Sequence, residues 1–423
     1  MSSLAESLYA EIEKIQAIDI HSHVRPLKPS AAGLRELLGY HYYTELAFSC
    51  GLEKDQMAVS LSDEAMVTAL VARMADFDNT VQYGWIVELA RKLFDFKDRR
   101  LTEANWRPLA AAAAKCLAGT DWSAEVLRRA NIEKVFLTNT FTEDLDGFDR
   151  HVLVPCLRCD DLVFHTARPA TLDGLAQRTG VTVGNVATLK QAIRGVFSYF
   201  SGRGARCAAI SLTPEFVCLP VKPAEAEPLL TAALQGEPLS AEETAQLRSF
   251  VFYLIADGCR EFALPMQLMI GAVRGAYDHG VANGTDLVAN TASLGQYADL
   301  FNRFHDVTFT VSYLSPTMAH ELLTYTWIFR NVYASGHWWY TNIPGYIEAD
   351  LRCRIEALPR TKLLGYYSDA YYIEFTLPKF NMYRRCLARV LAEQVEMKRL
   401  TEAEALAVAA ALLRDNPKRI FNV

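Results

Sequence analysis

Long apolar runs are missing from this chain of 423 residues: no stretch of about 20 uninterrupted hydrophobic residues occurs, so no membrane-spanning helix is expected. Residues 1–16 carry Glu6, Glu11, Glu13 and Lys14 but no apolar segment of the kind a secretory signal needs. An excess of basic charge is missing too. With 43 Lys and Arg against 49 Asp and Glu, the net charge is −6, which argues against nucleic acid or an anionic membrane as partner. Nine cysteines are an odd number that cannot pair completely, and reduced thiols in the cytoplasm are the expectation. Only Cys156 and Cys159 have C-x-x-C spacing, and no second pair completes a four-thiolate zinc site. They lie in a strand-like stretch rather than at a helix start, so they read as small core residues. No G-x-G-x-x-G follows a strand-like segment, which weighs against dinucleotide binding.

What is present is a substantial core, with 51% hydrophobic and 22% charged residues, and a regular alternation of element types. A helical pattern over 2–15 leads into an apolar strand, 17–21, that ends in His21-Ser22-His23. Side chains two apart on a strand share a face, so His21 and His23 could hold one ion; a pair of polar residues ending a half-buried strand is the plainer alternative. A long helical stretch follows. After it come seven short apolar segments, 134–137, 153–157, 207–212, 266–270, 307–314, 332–335 and 363–367, separated mostly by helical patterns. Ser240 with Glu243, and Thr401 with Glu404, have capping-box spacing. Eight strands alternating with helices predict a parallel α/β architecture, a (β/α)₈ barrel with a helical insertion after the first strand. The divisions are 1–27 for the first helix and strand, 28–130 for the insertion, and 131–423 for the remaining barrel and its terminal helices.

In a barrel of this type chemistry gathers at the C-terminal ends of strands. His21 and His23 end the first, Arg158 the third, and Asp369 follows the eighth; Arg274 lies just past the fifth and His337-Trp338-Trp339 past the seventh. Two imidazoles and a carboxylate would form a three-ligand metal site with open positions, the plainer alternative for Asp369 being the N-cap of the following helix.

These segments resemble the uronate isomerases of the amidohydrolase superfamily over nearly the whole chain. The matching stretches are Asp19-Ile20-His21-Ser22-His23, Tyr40-His41-Tyr42, Leu157-Arg158-Cys159-Asp160, the run Gln267 to Arg274, Trp338-Trp339 and Ser368-Asp369. The resemblance implies an aldose–ketose isomerase acting on a hexuronate, of the D-glucuronate/D-fructuronate or D-galacturonate/D-tagaturonate type. It also implies one divalent metal on His21, His23 and Asp369, with zinc first in line and manganese or another transition metal next. Asp369 is then the candidate base, Tyr42 a proton donor or oxyanion stabiliser, and His41 a third catalytic candidate or a rim residue. Arg158 and Arg274 can fork onto a carboxylate, or instead pair with Asp160 and Asp278; Trp338, Trp339 and Tyr371 complete the substrate set. His337 has no counterpart in the pattern. Members of that family often carry histidine where Met269 stands and usually arginine where Tyr371 stands. The expected partners are a small sugar acid and further copies of the chain. A metal-dependent hydrolase or decarboxylase on the same fold, and a catalytically retired sugar-acid-binding barrel, are the competing readings.

Overall fold

The computed structural model describes residues 2–423. Eleven strands are present: β1 Ala17–Asp19, β2 Ile132–Phe136, β3 Asn139–Thr140, β4 Leu153–Val154, β5 Leu157–Arg158, β6 Ala208–Leu212, β7 Met266–Ile270, β8 Ala272–Val273, β9 Leu287–Val288, β10 Phe309–Tyr313 and β11 Val332–Ala334. They form a six-stranded sheet in the order β11-β10-β7-β6-β5-β3, a three-stranded sheet β1-β2-β4, and a two-stranded ribbon β8-β9. Every pairing in the two larger sheets is parallel, and the ribbon is antiparallel. The chain is therefore α/β with parallel sheets, its strands nearly all buried and its helices between them.

The regular ladder is more broken than the sequence pattern predicts, and the breaks have local causes. The strand expected at 153–157 is split by Pro155, which has no N–H to donate. The strand expected at 134–137 extends from β2 into β3, interrupted at Thr138, whose hydroxyl turns to the carbonyl of Ser22. The segment expected as an eighth strand, 363–367, keeps one bridge, Leu363 with Ala334, and no longer ladder. Past it, side chains and single backbone bonds replace the ladder: the Asp19 carboxylate accepts from the Ser368 N–H at 2.8 Å and from the Ser368 hydroxyl.

Six helices fill the stretch between β1 and β2: Leu34–Leu38, His41–Ser49, Asp63–Arg73, Val81–Leu93, Trp106–Leu117 and Trp122–Ala130. Both expected capping boxes form, with Ser240 Oγ accepting from Glu243 N at 3.2 Å and Thr401 Oγ1 from Glu404 N at 3.3 Å. The helix Thr376–Glu396 is buried along most of its length, and Arg384 on it donates to the carbonyl of Ala130 at 2.8 Å. All nine cysteines are free thiols, and burial raises that of Cys159 well above its ordinary range.

Candidate metal centre and its cavity

Just past the end of the first strand at Asp19 the backbone meets the last segment. Asp369 N donates to His21 O at 3.1 Å, and His23 N donates to Ala370 O at 2.8 Å. This places His21, His23 and Asp369 on one floor. His23 Nε2 is 3.3 Å and His21 Nε2 3.8 Å from Asp369 Oδ1, and the three ligand atoms lie within 4.8 Å of one another. No other group of three or more possible ligands is found among the described residues.

Proximity, not a directed hydrogen bond, joins these groups: His21 Nε2 and Asp369 Oδ1 are both buried without a hydrogen-bond partner. Orphaned buried acceptors are costly, and in a converging set of two imidazoles and one carboxylate a divalent cation would satisfy them. The residues therefore fit a metal. Their protonation fits as well. Burial, and then the neighbouring His23, lower the His21 pKa to about 4, so the ring is neutral and able to ligate. Burial alone would raise Asp369, but the close His23 imidazole, then His21 and the Lys379 ammonium outweigh it and hold the carboxyl at about 2. Asp369 sits in the left-handed region at φ 51°, which Asp tolerates better than most residues.

The floor rests on residues that the sequence pattern did not single out. Gln267, in the middle of β7, donates through Nε2 to Ile20 O at 2.8 Å, which leaves its Oε1 facing His21 Nδ1 at 3.0 Å. An amide oxygen only accepts, so His21 carries its proton on Nδ1 and turns a lone pair on Nε2 toward Asp369. Lys379 is fully buried below; its Nζ donates to Ser368 O at 2.8 Å and to the Tyr40 hydroxyl at 3.0 Å, and Tyr40 in turn donates to Asp369 O at 2.9 Å. Burial lowers the Lys379 pKa to about 8 despite Asp369 and Asp19 nearby. The available signals were a glutamine inside an apolar strand and a lysine inside the apolar run Phe375 to Phe380.

Above the floor opens a cavity of about 730 Å³, lined by His21, His23, Asp369, His41, Thr138, Arg158, Asp160, Ser211, Met269, Arg274, Asn283, Asp286, Trp338, Trp339 and Tyr371 among others. Arg158 pairs with Asp160 at 3.2 Å, as the sequence allowed. Arg274 pairs not with Asp278 but with Asp286 across the β8-β9 ribbon, at 2.7 Å, and donates to Ser211 Oγ at 2.7 Å. Tyr371 stacks on His23 with ring centroids 4.9 Å apart and planes 27° apart. Both tryptophans are wall residues. Met269 places a thioether at the cavity edge, a poor ligand for a hard cation.

One expected residue, Tyr42, and the unassigned His337 sit elsewhere. Tyr42 is not on the cavity wall: its ring lies behind His41, 4.1 Å away, against Trp85 and the Lys379 ammonium, and its buried hydroxyl has no partner. His337 is buried away from the cavity, where its Nε2 lies 2.7 Å from Asp350, which Arg354 also pairs at 2.8 Å. That is a structural ion cluster.

Three comparisons bear on this geometry. The sequence profile of glucuronate isomerases matches residues 1–421. A uronate isomerase of Rhizobium meliloti is 25% identical over all of this chain and 96% of its own length. Among solved structures, the uronate isomerase of Thermotoga maritima superposes with a TM-score of 0.93 at 21% identity, covering 100% of this chain and 98% of that one. The glucuronate isomerase of Caulobacter crescentus gives 0.91 at 20%, covering 99% and 94%.

Proposed function

Because the chain belongs to the glucuronate isomerase family, we propose that it is an aldose–ketose isomerase of a hexuronate, of the D-glucuronate/D-fructuronate or D-galacturonate/D-tagaturonate type. One observation carries the reading: His21, His23 and Asp369 converge with unsatisfied ligand atoms at the floor of a cavity whose rim holds two guanidiniums. A uronate has a carbonyl end to be polarised and a carboxylate end to be held, and the cavity offers one kind of group to each.

A divalent ion on His21, His23 and Asp369, with zinc the first choice for two imidazoles and a carboxylate, would polarise substrate oxygens and favour the charge of an enediol. In this reading Asp369, ionised at neutral pH, carries a proton from C2 to C1. Arg158 and Arg274 take the carboxylate with the N–H groups left over from their protein partners: Asp160 faces Arg158 Nε and Nη2, while Asp286 and Ser211 accept from Arg274 Nη1 and Nη2. The strands β6, β7 and β10 end in Leu212, Ile270 and Tyr313, which supply none of the extra metal ligands a hydrolytic site would need.

The same reading extends to the architecture. Broken strands β2 and β3 act as one, as do β4 and β5, with Leu137 N and Asn139 N donating to Val154 O and Cys156 O at 2.9 Å each. Leu364 N donates to Ala334 O at 2.9 Å, and the 368–370 segment returns to β1. We read this ring as a distorted (β/α)₈ barrel, and the 28–130 stretch as a helical insertion that brings His41 over its mouth. Nine free thiols accord with a cytoplasmic enzyme, which we expect to be a homo-oligomer.

Incubating the metal-loaded protein with a panel of uronates in D₂O, with NMR detection at C2, tests the assignment. Exchange at C2 together with ketose formation is expected for at least one uronate; absence of both with every uronate would overturn the isomerase reading.

A further inference from the structure

His41 and Glu45 lie four residues apart on the helix His41–Ser49 and therefore share a face. His41 Nδ1 is 2.8 Å from Glu45 Oε1, and the two side chains are only 11% and 19% exposed. An exposed i,i+4 pair adds a few tenths of a kcal/mol to a helix and has no further consequence. This pair differs in where it stands. His41 is part of the cavity wall, with Asp369 and His23. Glu45 is packed by the loop that joins β8 to β9: a Cβ added to Gly284 would come within 2.7 Å of Glu45 Cγ.

An ionised carboxylate only accepts hydrogen bonds, so Glu45 requires the proton of a neutral His41 to be on Nδ1. The lone pair is then on Nε2, which has no hydrogen-bond partner among the described residues. The ring cannot easily turn, because Tyr42 lies 4.1 Å from it, Tyr40 4.8 Å, Tyr371 5.9 Å and Trp339 6.0 Å between centroids. The titratable groups that face His41 are thus Tyr40 and Tyr42 on its own side and Tyr371 from the last segment. Tyr340, near Glu45, donates to the Asp286 carbonyl, and only Glu45 hydrogen-bonds the His41 ring.

We propose that Glu45 is a positioning residue that holds His41 in its Nδ1–H form, so that His41 Nε2 relays the hydroxyl proton between the two substrate oxygens during isomerisation. This rests on the isomerase reading above and supplies what that reading lacks. Conversion of an aldose to a ketose moves two protons, one from C2 to C1 and one from O2 to O1. Asp369 removes the C2 proton as the C1–C2 double bond forms and negative charge collects on O1. His41 Nε2 then takes the proton from O2–H and returns it to O1. Asp369 delivers its proton to C1 as the O2 charge collapses to the C2 carbonyl. His41 and Asp369 end as they began, and no outside acid, base or oxidant is consumed. A histidine held at one tautomer by a carboxylate is suited to both halves of such a relay, as it can accept at Nε2 while the positive charge is stabilised at Nδ1.

The test is Glu45→Gln, which keeps size and polarity but can donate to Nδ1 and so release the tautomer. In ¹⁵N-labelled resting protein, His41 should show a protonated Nδ1 in the wild type and a shift toward protonated Nε2 in the variant. With the uronate that the wild type isomerises, kcat should fall by about 10²-fold while KM stays within about threefold. A wild-type His41 protonated on Nε2, or a variant kcat within twofold of wild type, would overturn the proposal. The tautomer is read without substrate. A wild type that turns over no uronate would therefore overturn the isomerase reading, leaving the placement of the His41 proton to be judged on the spectra.

Discussion

On the cavity floor His21 and Asp369 are 3% and 6% exposed, whereas on the rim Tyr371 is 39% exposed and both guanidiniums reach in from the ends of short strands. The floor is tied to the chain's two distant ends by backbone bonds, and two of its three residues are held from below, His21 by Gln267 and the Asp369 backbone carbonyl by Tyr40, which Lys379 braces in turn. The rim is held sideways, by ion pairs that are themselves part of the cavity wall. A floor residue is thus part of the fold as well as of the chemistry, while a rim residue can be changed with little consequence for folding. Substitutions should separate the two regions by which measurement moves.

The largest effect belongs to Asp369→Asn. Asparagine tolerates the left-handed backbone at this position as well as aspartate does, so the fold should survive. Turnover should fall by at least about 10³-fold, since the base and one metal ligand are lost together. Activity close to wild type would take Asp369 out of the base role. Next is Lys379→Met, which touches no substrate. It leaves Ser368 O and the Tyr40 hydroxyl without their buried donor, and unfolding of the metal-free protein in urea should show a loss of about 3 kcal/mol. A variant as stable as wild type would mean that the floor is not braced from below.

How much of this was legible in the sequence divides along the same line. His21 and His23 could be found because strand period is a local property, and Asp369 because the apolar segment before it reads as a strand, although the structure keeps only one bridge there. The supports could not. Gln267 is 246 residues from the histidine it orients, and Lys379 meets Tyr40 across 339. No local pattern encodes those meetings. On the rim, the sequence offered Asp160 for Arg158, two residues away, and Asp278 for Arg274; the first pair forms, but only the antiparallel ribbon brings Asp286 opposite Arg274. Tyr42 shows the limit of a short motif. It is adjacent to His41, but successive residues of a helix face different ways, and its ring points into the insertion.

A pH measurement extends the comparison to the segment beside the floor. Burial raises the Glu374 carboxyl from its usual 4.5 to about 7, although it accepts from Trp122 Nε1 at 2.9 Å and Ala31 N at 3.3 Å. A folded pKa above the unfolded one stabilises the native state fully below about pH 4.5, and that contribution is lost as pH rises through 7. Glu374→Gln stays neutral and removes this slope. Relative to wild type, the variant should gain on the order of 2 kcal/mol between pH 4.5 and 8, and a difference flat with pH would show that Glu374 is ionised in the folded protein. On the rim, Arg158→Met should change urea unfolding by no more than about 1 kcal/mol, because the ion pair it breaks lines the cavity rather than the core. It should raise KM for the uronate by about 10- to 30-fold. An unchanged KM would move the carboxylate away from Arg158.

The smallest effect is expected of Tyr371→Phe, and its smallness is informative. Burial, and then the nearby Asp369 charge, push the phenol up to about 12, so it is uncharged throughout the neutral range and cannot balance a carboxylate. If the substrate's charge rests on Arg158 and Arg274, the Tyr371 hydroxyl contributes at most one neutral hydrogen bond, and its ring keeps the stack on His23 that phenylalanine preserves. Then kcat/KM should change by no more than about threefold, well below the Arg158→Met effect, because a neutral hydrogen bond is worth only about 1 kcal/mol. A fall of more than about tenfold, concentrated in kcat, would place the phenol among the proton-transfer groups and make the rim as much a part of the chemistry as the floor.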